Sequence, residues 1–529
     1  MQVTLRAIFT LFLAVSVRGA GHVEVRDVGT DLQLFVDDWL VDSLDGVYRQ
    51  LHRPRAAEVA IQLDRPWEGL YLYDPSVMKD GSRYRMWYRG GGPSRPHLWA
   101  YAESADGIHW VKPELNLIEF KGSRKNNLVW PIPGGICSTL AIFKDPNPET
   151  PPDERYKSIC TGKEPGAGHD RPVIYGLVSP DGLRWRMIRE QKLLQPPWED
   201  GALDSHNIGL WDPGRGHYAI YARGWYRRGS VPYGSKTVRK ELYHVTAQLP
   251  SGTEFTVPRI RDIRRFVSKD FLNWSEPEYL QYRSTPEEHL YKNAATPYYR
   301  RPDLMVMFPK RFMPERVFDP DWPHVYMEPW ANAPDCSSME VPGITWIYGC
   351  AGLSDIVFMF SRDGITFTYF REAFIRPGRD IRNWHGRAIE VGPTLVPTGD
   401  GEMSLYFVEN YGTQTVKIRR GVLREDGFVS LQGNFEGGSV RTRPFRFSGS
   451  RLTLNYSTSA AGSLRVEIQD QRGDPLEGYG LDDCKLIFGD ELQRTVKWKG
   501  GADLSTLAGQ TVRMKIEIRD GDLFSLQFH

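Results

Sequence analysis

The chain has 529 residues and a formal net charge of +1, from 67 Lys and Arg against 66 Asp and Glu. That length suits several domains and excludes a small stapled scaffold, and the balanced charge excludes a global field drawing the chain to nucleic acid or an acidic membrane surface. With 24 Phe, 16 Trp and 25 Tyr beside 51 Gly and 37 Pro, the composition favours short strands and turns over long helices.

At the start, Arg6 precedes a mostly apolar run over residues 7–17, followed by Arg18, Gly19 and Ala20. This is the layout of a secretory signal peptide over residues 1–20, so the chain is expected to be secreted or periplasmic. A buried N-terminal strand or helix is the alternative. The run is too short to span a bilayer and no later run reaches about 18 apolar residues, so no membrane span is expected. Residues 21–64 read as an N-terminal strand or cap segment, in which residues 32–42 either close the following domain or cap it.

One motif then recurs. Ser104-Ala105-Asp106-Gly107-Ile108-His109-Trp110 returns as Ser179-Pro180-Asp181-Gly182-Leu183-Arg184-Trp185 and as Ser268-Lys269-Asp270-Phe271-Leu272-Asn273-Trp274. It returns again as Ser361-Arg362-Asp363-Gly364-Ile365-Thr366-Phe367, with a weaker copy at Arg424-Glu425-Asp426-Gly427-Phe428. Ser and Asp oxygens hold a tight turn, Gly accepts positive φ, and the aromatic packs back on a sheet, so each copy predicts a hairpin turn. Upstream of each lies a second hairpin pattern: 74–78 with 84–89, 138–143 with 156–160, 206–211 with 217–223, 293–299 with 304–309, and 390–397 with 402–410. Five four-stranded units predict an all-β chain whose residues 65–432 form a five-bladed β-propeller. Alternation such as Leu452-Thr453-Leu454-Asn455-Tyr456 predicts a C-terminal β-sandwich over residues 433–529.

In a propeller the innermost strands converge on a central channel, which brings together Asp74, Ser138 or Thr139, His206, Asn293 and Glu390 at their starts. These groups either form a ligand site or hydrate the channel mouth and cap their strands. Glycosidic cleavage usually needs two carboxyl groups, one as acid and one as base or nucleophile. Asp74 with Glu390 is the natural pair and Asp204 the next candidate, while Glu68, Glu409 and Asn207 complete the polar set. Returning strands end in Arg89, Arg223, Lys310 and Arg311, and Arg387 precedes Glu390. Guanidinium groups there suit a sugar carboxylate or sulfate, with ordinary salt bridges to these acids as the alternative. Trp225, Tyr226, Trp322 and Trp384 offer stacking faces, and the inserts 224–259 and 312–352 exceed hairpin lengths.

Five cysteines (Cys137, Cys160, Cys336, Cys350, Cys484) lack any C-x-x-C spacing. Cys336 and Cys350 either bridge one loop or all five are buried thiols. No phosphate loop, dinucleotide fingerprint, H-E-x-x-H or G-x-S-x-G element is present, so no metal and no cofactor is expected.

The repeated turns, Asp74-Pro75 opening the first unit, and a propeller followed by a sandwich resemble the five-bladed glycoside hydrolases of family 32 and its relatives in families 43 and 68. Pro66-Trp67-Glu68-Gly69, Glu288-His289-Leu290-Tyr291 and Phe374-Ile375-Arg376-Pro377-Gly378 are similar to bacterial secreted proteins known as family-32-like. Family 32 uses W-x-N-D-P-N for its nucleophile, R-D-P for a transition-state stabiliser and E-C for its acid. Tyr73-Asp74-Pro75 matches the first, which implies a nucleophile or base role for Asp74. Phe143-Lys144-Asp145-Pro146 looks like the second, but the repeat alignment puts Asp145 at a hairpin turn equivalent to Asp80 and Asp212, on the face opposite Asp74. Asp204-Ser205-His206-Asn207 stands where Glu-Cys belongs, so sucrose or fructan specificity does not carry over. The resemblance implies a glycoside hydrolase cleaving O-glycosidic bonds in an oligo- or polysaccharide, anionic ones included. A non-catalytic carbohydrate-binding propeller is the alternative.

Overall fold

The computed structural model describes residues 24–92, 95–130, 139–163, 172–194, 203, 206–226, 244–248, 254–258, 260–282, 288–313, 353–384 and 388–529. The expected signal segment, Ser138, Asp204, Arg387, Trp322, Cys137, Cys336, Cys350 and most of both long inserts lie outside these residues. For Asp74, Trp225 and Tyr226 the backbone alone is described.

The described chain is all-β. Five sheets follow one another in sequence, each built on an antiparallel meander running outward from its innermost strand, with Gln281–Tyr282 added parallel at the edge of the fourth. Sheet one begins with Tyr71–Asp80, Arg83–Gly92 and Arg95–Ser104. Sheet two is Thr139–Lys144, Tyr156–Lys163, Pro172–Ser179 and Arg186–Met187. Sheet three is Ile208–Asp212, His217–Tyr226, Ile260–Ser268 and Glu278–Tyr279. In sheet four the two inner strands are each broken, giving His289–Lys292 with Lys310–Met313 and Thr296–Tyr298 with Arg301–Met307, before Leu353–Ser361 and Thr366–Ile375. Sheet five pairs Glu390–Val391 and Val396–Pro397 with Glu402–Glu409, then Lys417–Arg424. Its outermost strand comes from the other end of the chain, because Arg55–Gln62 pairs with Lys417–Arg424.

The repeated motif forms the turn its residue types predict. Ser104 Oγ accepts the amides of Asp106 and Gly107, Asp106 Oδ1 accepts those of Ile108 and His109, and Trp110 Nε1 donates to Gly107 O at 3.2 Å. Asp181, Asp270 and Asp363 repeat this pattern. The left-handed position falls on Gly107, Gly182 and Gly364 at φ 75°, 75° and 70°, and on Phe271 at 65°. In the fifth copy Asp426 itself takes the positive φ of 63° and its buried carboxylate receives Tyr298 Oη, Arg300 and Ser525.

These turns lock neighbouring sheets together. Trp87 of sheet one donates to Gly182 O at 2.8 Å, and Tyr221 of sheet three donates to Gly364 O at 2.8 Å. Tyr218 of sheet three donates to Asp145 at 2.6 Å, Tyr298 of sheet four to Asp426, and Tyr406 of sheet five to Gly107 O. Sheet five therefore meets sheet one, and the sheets form a propeller-like ring.

Beyond it, Leu452–Gln469 and Arg513–Phe528 pair along their lengths, with a register break between Thr458 and Ser463. The two halves of this bent pair share one core that includes Leu454, Tyr456, Val466, Ile516 and Phe528. The N-terminal segment meets both units: Gln33–Leu34, Val41–Asp45 and Val47–Leu51 join this C-terminal sheet, while Leu32, Leu34, Val36 and Leu51 pack into the core of sheets four and five and Asp37 pairs with Arg362. Cys160 is disulfide-bonded, which excludes five free thiols, whereas Cys484 is a buried thiol. Among the described residues no helix is long and apolar enough to cross a membrane.

Candidate functional site

Sheets one and four are not neighbours in the ring, so a contact between their innermost strands reaches across its axis. Lys292, on the inner strand of sheet four, places its Nζ 5.3 Å from the ring centre of Tyr73, on the inner strand of sheet one. The inner strand of sheet five supplies Glu390, whose Oε2 accepts from Lys292 Nζ at 2.7 Å and whose Oε1 accepts from Lys310 Nζ at 3.1 Å. Sheets four and five thus meet at one carboxylate, and sheet one reaches it through Lys292.

The sequence folds this way for an electrostatic reason. Lys292 and Lys310 are direct partners across their strand pair, and like charges in that position repel. Glu390, 2% exposed, enters between them from the next sheet. Two non-glycine residues with positive φ flank the arrangement, Ile389 at 53° and Ala294 at 45°. A β-branched residue held there stores strain of about 1–3 kcal/mol, of the kind that collects at functional sites.

Cations continue outward on both sides. Arg89, 7% exposed, lies with Cζ 4.2 Å from the Tyr73 ring centre. On the other side, Tyr291 has Lys310 Nζ at 5.9 Å, Arg223 Cζ at 5.3 Å and Arg261 Cζ at 5.0 Å from its ring centre. Arg223 and Arg261 come from the same face of sheet three, since Arg223 pairs with Ile263 and Trp225 with Arg261. His289 Nδ1 accepts from the Arg261 backbone at 3.2 Å. Tyr73 and Tyr291 are half-buried, whereas all five cations are buried.

Asp74 lies in the inner strand of sheet one, next to Tyr73, at a register break between Tyr73 and Ser76. The segment between the two short inner strands of sheet five approaches so closely that a Cβ on Gly392 would sit 1.7 Å from Pro75 O, so only glycine fits.

The other expected site residues each have protein partners. His206 Nε2 bonds to Leu140 O of sheet two at 3.0 Å, and Asn293 donates to Tyr221 O of sheet three at 3.0 Å, so both tie neighbouring sheets. Asn207 donates to Thr161 and Leu203 and accepts from the Arg223 amide. Thr139 Oγ1 accepts from the Thr161 amide. Glu68 receives the amides of Asp64 and Arg65, Tyr88 Oη and Lys112, and shares none of these with Glu390. Arg311 forms a two-pronged pair with Asp355; burial opposes its charge, yet the hydrogen bonds and charge of Asp355 hold the guanidinium above its ordinary value. Glu409 pairs with Arg419 at 2.6 Å and Lys417 at 3.5 Å. Trp384 Nε1 donates to Gly378 O.

Asp145 lies just beyond the inner strand of sheet two, at its first turn, where it binds Lys157 at 2.6 Å, Tyr218 and Thr150. Asp80 at the equivalent turn of sheet one binds Arg85, Lys144 and Tyr156. Its burial would raise the carboxyl pKa, but the bonds from Lys144 and Tyr156 outweigh that and lower it. Asp145 therefore belongs to the turn end of the ring, away from Asp74. Among the described residues no cluster of three or more His, Cys, Asp or Glu could hold a metal ion.

The sequence reading missed Lys292, Arg261, Tyr73 and Tyr291 as site residues. The signal for the first was its pairing with Lys310, hidden by the strand break at residues 293–295.

No family model matches the sequence. Two uncharacterized proteins of Mycobacterium tuberculosis are each 42% identical over 120 residues, which is 22% of this chain and 33% of theirs. The chain thus matches about a third of the length of these curated relatives. Among solved structures, a glycoside hydrolase aligns with TM-score 0.42 and 12% identity over 70% of this chain and 92% of its own. An N-acetylgalactosamine deacetylase from F. plautii, in complex with blood group B trisaccharide, gives 0.40 and 13% over 72% and 94%. A thermostable family-43 glycoside hydrolase gives 0.38 and 12% over 70% and 95%.

Proposed function

We propose that this chain is a glycoside hydrolase that takes an anionic carbohydrate into the mouth of a five-bladed propeller. The observation that carries this reading is the gathering of five buried cations around two half-buried tyrosines, one of them adjacent to Asp74. Tyrosine faces suit the apolar side of a sugar ring, and guanidinium and ammonium groups suit its carboxylate or sulfate. Asp74 serves as nucleophile or base, and Asp204 is the carboxyl left to act as acid. Glu390, with an ammonium group on each oxygen, holds the two lysines in place and is a positioning residue rather than the acid. Export through the N-terminal segment belongs to the same proposal, and the disulfide at Cys160 favours it.

The test is release of reducing ends from uronate-bearing, sulfate-bearing and neutral polysaccharides by the full chain and by Asp74→Asn. Turnover of an anionic substrate, lost in Asp74→Asn with binding retained, is the expected result. Binding without turnover on any bound glycan favours the non-catalytic alternative, and failure to bind any anionic glycan overturns the reading.

A further inference from the structure

The cations at the channel mouth do not form one cluster. Glu390 divides them into two corners built alike, each a half-buried tyrosine with guanidinium and one of the two lysines close to its ring. The first corner is Arg89, Tyr73 and Lys292, with 4.2 Å and 5.3 Å to the ring centre. The second is Arg223 and Arg261, Tyr291 and Lys310, with 5.3 Å, 5.0 Å and 5.9 Å. The first corner draws on sheets one and four and the second on sheets three and four, and they are joined by the Lys292–Glu390–Lys310 bridge at 2.7 and 3.1 Å. A carboxylate fixed between two ammonium groups cannot follow a ligand, so it sets the spacing of the corners.

We propose that each corner is an anion subsite, so that the channel mouth selects a glycan carrying oxyanion groups on successive residues, not a single charged sugar. This rests on the anionic-carbohydrate reading of the site. In each corner the tyrosine supports the sugar ring while guanidinium and ammonium groups take its charge. The oxyanion is a carboxylate or a sulfate ester, which share this chemistry.

The experiment compares oligosaccharides of equal length bearing either one charged residue or charges on successive residues, in a uronate series and a sulfate-ester series, with binding measured calorimetrically. The successively charged chain is expected to bind about tenfold to a hundredfold more tightly, the worth of one more charged hydrogen-bonded contact. Arg89→Gln and Arg223→Gln should each remove that advantage, while the singly charged chain keeps its affinity within about twofold by using the intact corner. Whichever series shows this pattern identifies the oxyanion. Because these arginines are buried, a second measurement uses the unaltered protein: the slope of log affinity against log salt should be about twice as steep for the successively charged chain. Equal affinity and equal slopes for the two chains overturn the two-corner arrangement. If that pattern appears but no bond is cleaved, hydrolysis fails and the two subsites stand; if singly charged and neutral chains are cleaved as well as the others, the subsites fail and hydrolysis stands.

Discussion

The two ends of the five sheets are built from similar residues and do opposite things with them. At the turn end, carboxylates recur at one register and each is saturated locally: Asp106, Asp181, Asp270 and Asp363 cap their own turns, and Asp80 and Asp145 bridge to the next sheet. At the channel mouth the sheets contribute different sets, Tyr73 and Arg89 from sheet one, two arginines from sheet three, Tyr291 and two lysines from sheet four and Glu390 from sheet five, and charges meet across the axis. Repetition therefore marks what holds the ring, and departure from it marks the candidate site.

The comparison is broken most severely by changes at the mouth. Asp74→Asn should lower turnover of an anionic glycan about 10³-fold or more, with an unchanged melting temperature; retained turnover removes Asp74 from the chemistry. Glu390→Gln strips the counter-ion from two buried lysines and should cost about 3–5 kcal/mol in urea unfolding. Adding Lys310→Met should restore part of it, and no restoration would show that the lysine pair is not the cause.

At the turn end the effects should be smaller and leave catalysis alone. Tyr221→Phe removes the bond to Gly364 O and should cost about 1–2 kcal/mol with kcat unchanged; a fall in kcat would mean that the two ends are coupled. The smallest effect is a pH dependence. Burial opposes charge on Asp270, but together the bonds from Asn273 and the Leu272 amide outweigh it and hold its carboxyl at about 2 against an ordinary 3.8. A depressed carboxyl stabilises the fold above its unfolded value, so this contribution is complete above about pH 4 and is lost as pH falls towards 2. Asp270→Asn should cost about 0.5–1 kcal/mol at neutral pH and flatten the acid limb of a melting curve. An unchanged limb would place the acid sensitivity in another group.

Much of the scaffold was legible because its signals are local. A Ser, an Asp two residues on and a positive-φ position after it interact within four residues, so the turn can be read from seven letters. Glu390 could be placed on an inner strand, but its partners stand 98 and 80 residues away, and nothing local announces them. The same limit explains Glu68 and Arg311: their residue types suited a ligand, and only the fold brought Lys112 and Asp355 to them. It explains too why Val41–Asp45 and Val47–Leu51 gave no sign that their strand partners lay near the far end of the chain.

The outermost strand of sheet five also carries a kinetic consequence. Arg420 meets Glu58 across 362 residues of intervening chain, so the ring closes only after nearly the whole polypeptide is available. Contacts that distant carry a large loop-closure entropy and slow the final step. Until then Lys417–Arg424 presents an unpaired edge, which a second nascent chain can capture in place of Arg55–Gln62. Folding yield should therefore fall with concentration, with exchange of that strand between molecules as the characteristic error.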